Sequence, residues 1–138
     1  MTPQSRAEHD ELRQAMRRYA ELMRKSSQAN YAALSRERVL FSQKFSAHVA
    51  NEARQLSCSA YSHSDYAPLI KTYNDKLTVI RRSYSSHVVY WTPTMICSDW
   101  RNYVASVLKL QSELTALLLW KEHRMPAGGQ PQERKALT

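Results

Sequence analysis

Apolar and aromatic residues recur at alternating steps of four and three positions over two long stretches of this chain. In the first stretch the series is Tyr66, Ile70, Tyr73, Leu77, Ile80, Tyr84, His87 and Trp91. After Pro93 the series is Ile96, Trp100, Tyr103, Val107, Leu110, Leu114 and Leu117, and then Lys121. Such a heptad pattern is typical of helices that pack lengthwise on one another. It predicts helices over residues 66–92 and 94–125.

The segment before these stretches predicts a third and longer helix, over residues 5–62. Ser5 and Glu8 have the spacing of a capping box, which satisfies the first amide groups of a helix. No proline or glycine interrupts the segment from there to its end. The weakest place is 26–30, where two serines and an asparagine favour caps and turns over helix interiors. A break there gives two helices, about 5–25 and 30–62.

The composition favours an all-α fold. The chain has only two glycines, adjacent at 128 and 129, and five prolines, so it lacks the regularly spaced turn residues of a sheet protein. We therefore predict an elongated antiparallel bundle of three long helices, the first of them the longest, or four helices if the first is broken. Residues 1–125 form a single coiled-coil-like domain in this prediction, and 126–138 form a disordered polar tail.

The two stripes also predict which residues face each other. If the chain reverses in a short turn at Pro93, the second stripe runs back along the first. Tyr84 then faces Tyr103, and Tyr66 faces Lys121. The first helix pairs with the second in a similar way, in a looser register: Leu56 with Ile70, Ala53 with Tyr73, and Val49 with Leu77.

In this arrangement the first half of the long helix projects beyond the hairpin and carries its own apolar stripe, Leu12, Met16, Tyr19 and Met23. Because isolated helices are marginal in water, the stripe requires cover. Three arrangements provide that cover: this half of the helix folds back at 26–30 as a fourth helix, pairs with a second copy of itself, or docks on another protein. A second strip widens the apolar face of the last helix: Val104, Leu108, Leu118 and Leu119. We predict that both sets bind a partner.

The net charge of +8 at pH 7 favours acidic partners. Within residues 13–25 the cations are Arg13, Arg17, Arg18, Arg24 and Lys25. A basic amphipathic helix of this kind can lie on an anionic surface, either nucleic acid or acidic lipid. The other interpretation is the solvated flank of a coiled coil.

No constellation of residues indicates catalysis. His48 and Glu52 share a helix face, as two metal ligands can, but no second pair accompanies them and an HExxH motif is absent. Cys58 and Cys97 have no metal-binding spacing, and the register places them too far apart for a disulfide. Without a glycine-rich phosphate loop or paired acids, we predict no metal, no cofactor and no enzymatic activity.

These patterns together predict a non-catalytic helical interaction protein. It acts as a small adaptor or structural subunit that docks by helix packing into a larger protein assembly, or it self-associates. The alternative is a basic helical module that binds nucleic acid or acidic lipid. The lack of a signal-like N-terminus and of a disulfide framework favours a reducing compartment, the cytoplasm, with the nucleus as the alternative.

Overall fold

The computed structural model describes residues 2–25, 31–57 and 65–125. Within these ranges the regular elements are five helices: α1 (Pro3–Lys25), α2 (Tyr31–Leu56), α3 (Ala67–Tyr90), α4 (Pro93–Ser98) and α5 (Trp100–Arg124). The predicted all-α class is confirmed. The predicted break at 26–30, the end of the first helix after 57, Cys58 and the predicted tail at 126–138 lie outside the described residues.

The four long helices form a bundle in which each neighbour runs antiparallel to the next. α1 packs on α2 and on α5, and α3 packs on α5. Opposite ends of α1 and α2 meet, because Ser5 donates to Gln55 and Arg18 pairs with Glu37. Of the three predicted ways to cover the stripe on α1, the fold-back is therefore the one that the structure adopts.

The core consists of two clusters to which α1 contributes apolar side chains. The first contains Leu12, Met16, Phe45, Tyr73, Leu77, Ile80, Leu114, Leu117 and Leu118. The second contains Tyr19, Met23, Leu34, Trp91, Ile96, Tyr103 and Val107. Burial of such side chains contributes about 1.5–3 kcal/mol each, so the stripe on α1 anchors that helix to the rest of the bundle.

Contacts between α2 and α3 follow the predicted register. The Tyr73 hydroxyl donates to Glu52, next to the residue predicted to face it. Toward the start of α2 and the end of α3, the hydroxyls of Ser42 and Tyr84 share a hydrogen bond, and the Phe45 ring lies 6.2 Å from the Tyr84 ring. Long side chains make these contacts, whereas the backbones of α2 and α3 pack less closely than those of the other neighbouring helices.

The predicted register between α3 and α5 is wrong by one to two helical turns. Tyr103 stacks on His87, with ring centroids 5.7 Å apart, and Lys121 Nζ lies 5.3 Å from the centroid of the Tyr73 ring. The prediction assumed a tight turn at Pro93 and one continuous helix after it. Instead the chain forms α4, whose first turn is capped by the Thr92 hydroxyl, and α5 begins only after Asp99, whose φ of −141° interrupts the helix.

Candidate functional site

A cluster of polar and charged side chains lies buried at the end of the bundle where α1 begins. Its central members are His9 on α1, His48 and Glu52 on α2, and Lys121 on α5, each at most 2% exposed. Heptad packing explains their burial, because each occupies an inward position of its helix. Buried ionisable groups are costly unless they are paired, so the partners of each group decide what the cluster can do.

Both histidine rings are held by a carboxylate at the same nitrogen. His9 Nδ1 lies 2.8 Å from Glu122 Oε2, and His48 Nδ1 lies 2.7 Å from Glu8 Oε1. Arg13 in turn donates to Glu122 at 2.7 Å. Both Nδ1 atoms therefore have a hydrogen-bond partner, and both Nε2 atoms point away from it.

The pKa values of these groups follow from their burial and partners. Burial lowers the pKa of His9 to about 4 and also lowers the pKa of His48. Burial alone would raise the pKa of Glu8 and of Glu122, but hydrogen bonds from His48 and Asn51 to the first, and from Arg13 and His9 to the second, lower both. At neutral pH the two carboxyls are thus ionised and the two rings neutral.

The two Nε2 atoms converge on Glu52. His48 Nε2 lies 2.7 Å from Glu52 Oε1, and His9 Nε2 lies 3.9 Å from Glu52 Oε2. Among the residues that the structure describes, neither Nε2 atom has a hydrogen-bond partner. One donor atom from each of the three side chains can be chosen so that all lie within 4.8 Å of one another, the geometry of a candidate metal centre.

Two further side chains complete the surroundings of Glu52. The Tyr73 hydroxyl donates to one carboxylate oxygen, and Lys121 Nζ forms an ion pair with the other. Burial lowers the pKa of Lys121 to about 8, although the charges of Glu8 and Glu122 oppose the shift. The Lys121 ammonium is therefore easier to deprotonate or replace than an exposed lysine.

An open groove lies at the opposite end of the bundle, between the first half of α2 and the end of α3. Its volume is about 640 Å³, and its lining includes Val39 and Arg38 on α2 and Val88 on α3. Behind it an apolar cavity of about 80 Å³ reaches the inside of the bundle and shares Arg38, Tyr84 and Val88 with the groove. The groove exists because long side chains, rather than close backbone packing, join α2 to α3.

The residues predicted to bind a partner lie in different environments. Five are buried within the chain's own core: Leu12, Met16, Tyr19, Met23 and Leu118. Val104 is half-buried against the second core cluster. Leu108 and Leu119 are 46% and 45% exposed. The fold thus covers the stripe on α1 with α2 and α5, and it leaves only two residues of the predicted set substantially exposed.

Four of the five predicted anionic-surface residues pair with carboxylates of this chain. Arg13 lies 2.7 Å from Glu122, Arg18 lies 3.4 Å from Glu37, and Arg24 and Lys25 lie 2.8 and 3.6 Å from Glu21. Arg17 is exposed and takes part in none of the ion pairs found among the described residues. These pairs reduce the free positive charge along α1.

The sequence interpretation missed His9 as a partner of the His48–Glu52 pair. The two histidines are distant in the chain and meet only because α1 folds back. A signal was present, since extending the stripe of α1 backwards from Leu12 by steps of three and four reaches His9 and then Ser5, and both are fully buried. The same periodicity that identified the apolar stripe therefore identifies a buried histidine.

Comparison with known protein families, curated proteins and solved structures finds no significant match to this chain. Within the described part of the chain, no helix is both long and apolar enough to cross a membrane.

Proposed function

We propose that this chain is a non-catalytic helical adaptor that docks an acidic amphipathic helix of a partner protein in the groove between α2 and α3. The observation that carries the proposal is a pair of exposed valines in this groove, one on each helix. Val39 is 55% exposed and Val88 is 43% exposed, and both line the same open groove. Apolar side chains exposed together in a groove mark a binding surface more often than isolated ones do.

The shape of the groove suits a helix. Its lining on α2 runs from Tyr31 to Ser46, about four turns, which spans roughly 22 Å at 1.5 Å per residue. An amphipathic helix of similar length can place its apolar face in such a groove, as in other helix-in-groove complexes. Packing of that helix against α2 and α3 would also close the mouth of the apolar cavity behind the groove.

The charge of the groove favours an acidic partner. Arg38 is the one charged residue among the described residues that line it, and Arg38 belongs to none of the ion pairs found in the described part of the chain. The chain as a whole has a net charge of +8. Complementary charge accelerates association and fixes the orientation of a partner, so we expect an acidic rather than a basic helix.

The test compares two valine substitutions on α3. Val88→Asp places a carboxylate in the groove, whereas Val79→Asp places one at a 58% exposed position of the same helix outside the groove lining. The wild-type chain and both variants are each immobilised and incubated with cell extract at moderate salt. The proteins that each chain retains are then identified by mass spectrometry. We expect a protein with an acidic amphipathic segment to be retained by the wild type and by the Val79 variant, and lost with the Val88 variant.

Other results would contradict this proposal in distinct ways. A partner retained equally by all three chains would place the interface elsewhere. Concentration-dependent dimers in sedimentation that disappear with Val88→Asp would make a second copy of the chain the occupant. Salt-sensitive binding to nucleic acid or acidic vesicles that is lost when Arg13, Arg17 and Arg24 are neutralised would favour the basic-surface alternative.

A further inference from the structure

We propose that His9, His48 and Glu52 form a binding site for a divalent transition-metal ion of the zinc type. The three side chains come from α1 and α2, and all are buried. The site is separate from the groove, because none of these three residues lines the groove. Three features support this site: the hydrogen bond at Nδ1 of each histidine, the convergence of the three ligand atoms, and the carboxylates that hold the two histidine rings.

The hydrogen bonds at Nδ1 fix the tautomer of each histidine. An ionised carboxylate only accepts hydrogen bonds, so the Nδ1 atoms facing Glu122 and Glu8 must carry the proton. A neutral ring with its proton on Nδ1 has a free lone pair on Nε2. Both rings therefore present a lone pair, the form in which histidine binds metals.

The convergence of these lone pairs favours a cation between them. His48 Nε2 lies 2.7 Å from Glu52 Oε1, and two atoms that both carry lone pairs repel each other at that distance unless a proton or a cation lies between them. The only other donors to Glu52 among the described residues are the Tyr73 hydroxyl and the Lys121 ammonium. Neither provides a hydrogen-bond donor to the Nε2 atoms of His9 and His48.

Two imidazole nitrogens and one carboxylate form a ligand set that suits zinc, with a fourth position open to water. Around a zinc ion with bonds of about 2.0–2.2 Å, neighbouring ligand atoms lie roughly 3.4 Å apart. The donor atoms here spread up to 4.8 Å, so rotamer adjustments on the order of 1 Å bring them into range. Glu8 and Glu122 would act as the outer carboxylates that orient metal-binding histidines and increase their basicity.

Lys121 is the competing cation at this site. Its ammonium pairs with Glu52, Arg13 neutralises Glu122, and the remaining carboxylate, Glu8, accepts from His48 and Asn51. A metal ion that binds Glu52 displaces the Lys121 ammonium. The lysine side chain then changes its conformation or releases a proton to solvent. Removal of the lysine charge should therefore strengthen metal binding, a result that a purely structural role for the cluster does not produce.

The first experiment measures metal binding by the full chain after dialysis against a chelator. Zn²⁺ is titrated by calorimetry, and Co²⁺ by its visible absorption, whose intensity reports the coordination geometry. We expect one ion per chain. We expect His9→Gln and His48→Gln each to weaken binding by more than the roughly 10–100-fold typical of an outer-shell change. The matched control His123→Gln alters an exposed histidine and should bind as the wild type does.

A second pair of variants keeps the proposal testable if the histidine variants do not fold. Glu8→Gln keeps all three ligands and should weaken binding about 10–100-fold by loosening His48. Lys121→Met should tighten it. Absence of Zn²⁺ and Co²⁺ binding by a helical wild-type chain would overturn the proposal. So would binding that His9→Gln and His48→Gln leave unchanged, or nitrogen chemical shifts showing a doubly protonated His48 in a chain that binds no metal.

Discussion

At the scale of single residues, burial in the cluster makes His9 harder to protonate in the folded chain than in the unfolded one. Burial lowers the pKa of His9 to about 4. The His9 side chain therefore lowers the stability of the fold at any pH where it is protonated in the unfolded chain but not in the folded one. The ordinary pKa of histidine is about 6.5. Between these two values the unfolded state binds more protons at residue 9 than the folded state does, so acid favours unfolding.

We therefore predict that the free energy of unfolding falls as the pH falls from 6.5 to 4. The contribution of His9 alone is up to roughly 3 kcal/mol, since each pKa unit corresponds to about 1.4 kcal/mol. Urea unfolding in the presence of a chelator, at several pH values, measures the slope. His9→Gln should make the slope shallower, and the slope that remains should come from His48 and His87, whose pKa values burial also lowers. A slope that His9→Gln leaves unchanged would show that residue 9 does not titrate with a lowered pKa.

The sequence could predict one half of this cluster. The spacing of His48 and Glu52 places both on one face of α2, but this pair alone predicts no metal site, because no second pair of ligands accompanies it in the sequence. His9 could not be added from local pattern alone, because its approach depends on the direction in which α1 packs. A buried ligand set assembled from two helices is a tertiary property, whereas periodicity reports only which face of each helix turns inward.

At the scale of whole elements, the predictions succeeded where the helix was continuous. The α2–α3 register followed from the stripes because no break intervenes between Ser42 and Glu52, or between Tyr73 and Tyr84. The α3–α5 register failed because Pro93–Ser98 forms a separate helix, which a stripe with the same spacing on both sides of Asp99 does not reveal. Heptad spacing survives an interruption of this kind, so it cannot detect one.

The sequence alone does not decide how the apolar stripe on α1 is covered, for a related reason. Folding back, pairing with a copy and docking on a partner all bury the same stripe, so the apolar pattern gives each a similar gain in burial. What distinguishes them here is the set of polar contacts that α1 makes with α2 and α5, among them Glu8 with His48 and Arg13 with Glu122. These contacts depend on residues whose pairing is not apparent from a single helix.

The packing of α1 predicts that two leucines, both predicted from the sequence to bind a partner, differ sharply in their contribution to stability. Leu12 is 1% exposed in the first core cluster, whereas Leu108 is 46% exposed. We expect Leu12→Ala to lower the free energy of unfolding by about 2–5 kcal/mol, as for other buried leucines. Leu108→Ala should change it by about 0.5 kcal/mol or less. Chemical denaturation of both variants measures this, and equal effects would mean that α1 does not pack as described.

At the scale of the whole molecule, the two candidate sites occupy opposite ends of the bundle. His48 and Glu52 lie toward the C-terminal end of α2, whereas the groove lining on α2 begins at Tyr31 and stops at Ser46, and it contains neither of them. A substitution in one site should therefore leave the other intact, since distant positions without shared partners contribute independently. The valine test of docking and the histidine test of metal binding can thus be performed on the same chain without confusing their outcomes.

The helix that connects these ends is α1, which supplies His9 to the cluster and apolar side chains to both parts of the core. Deleting residues 1–25 therefore removes more than a docking surface. We predict that the shortened chain loses cooperative thermal unfolding and much of its helical circular dichroism, because α2 and α5 would expose the faces that α1 covers. For this reason point substitutions in the groove, rather than this deletion, test the adaptor function.

Adding the missing helix back as a separate peptide tests the same prediction more directly. A peptide of residues 1–25 alone should be only marginally helical in water. Mixed with the shortened chain, it should restore helical signal and a cooperative transition, since α2 and α5 provide its binding surface. A peptide carrying Leu12→Ala and Met16→Ala should restore less, because it lacks two side chains of the first core cluster. Full cooperativity in the shortened chain without any peptide would show that α1 is not part of the folded core.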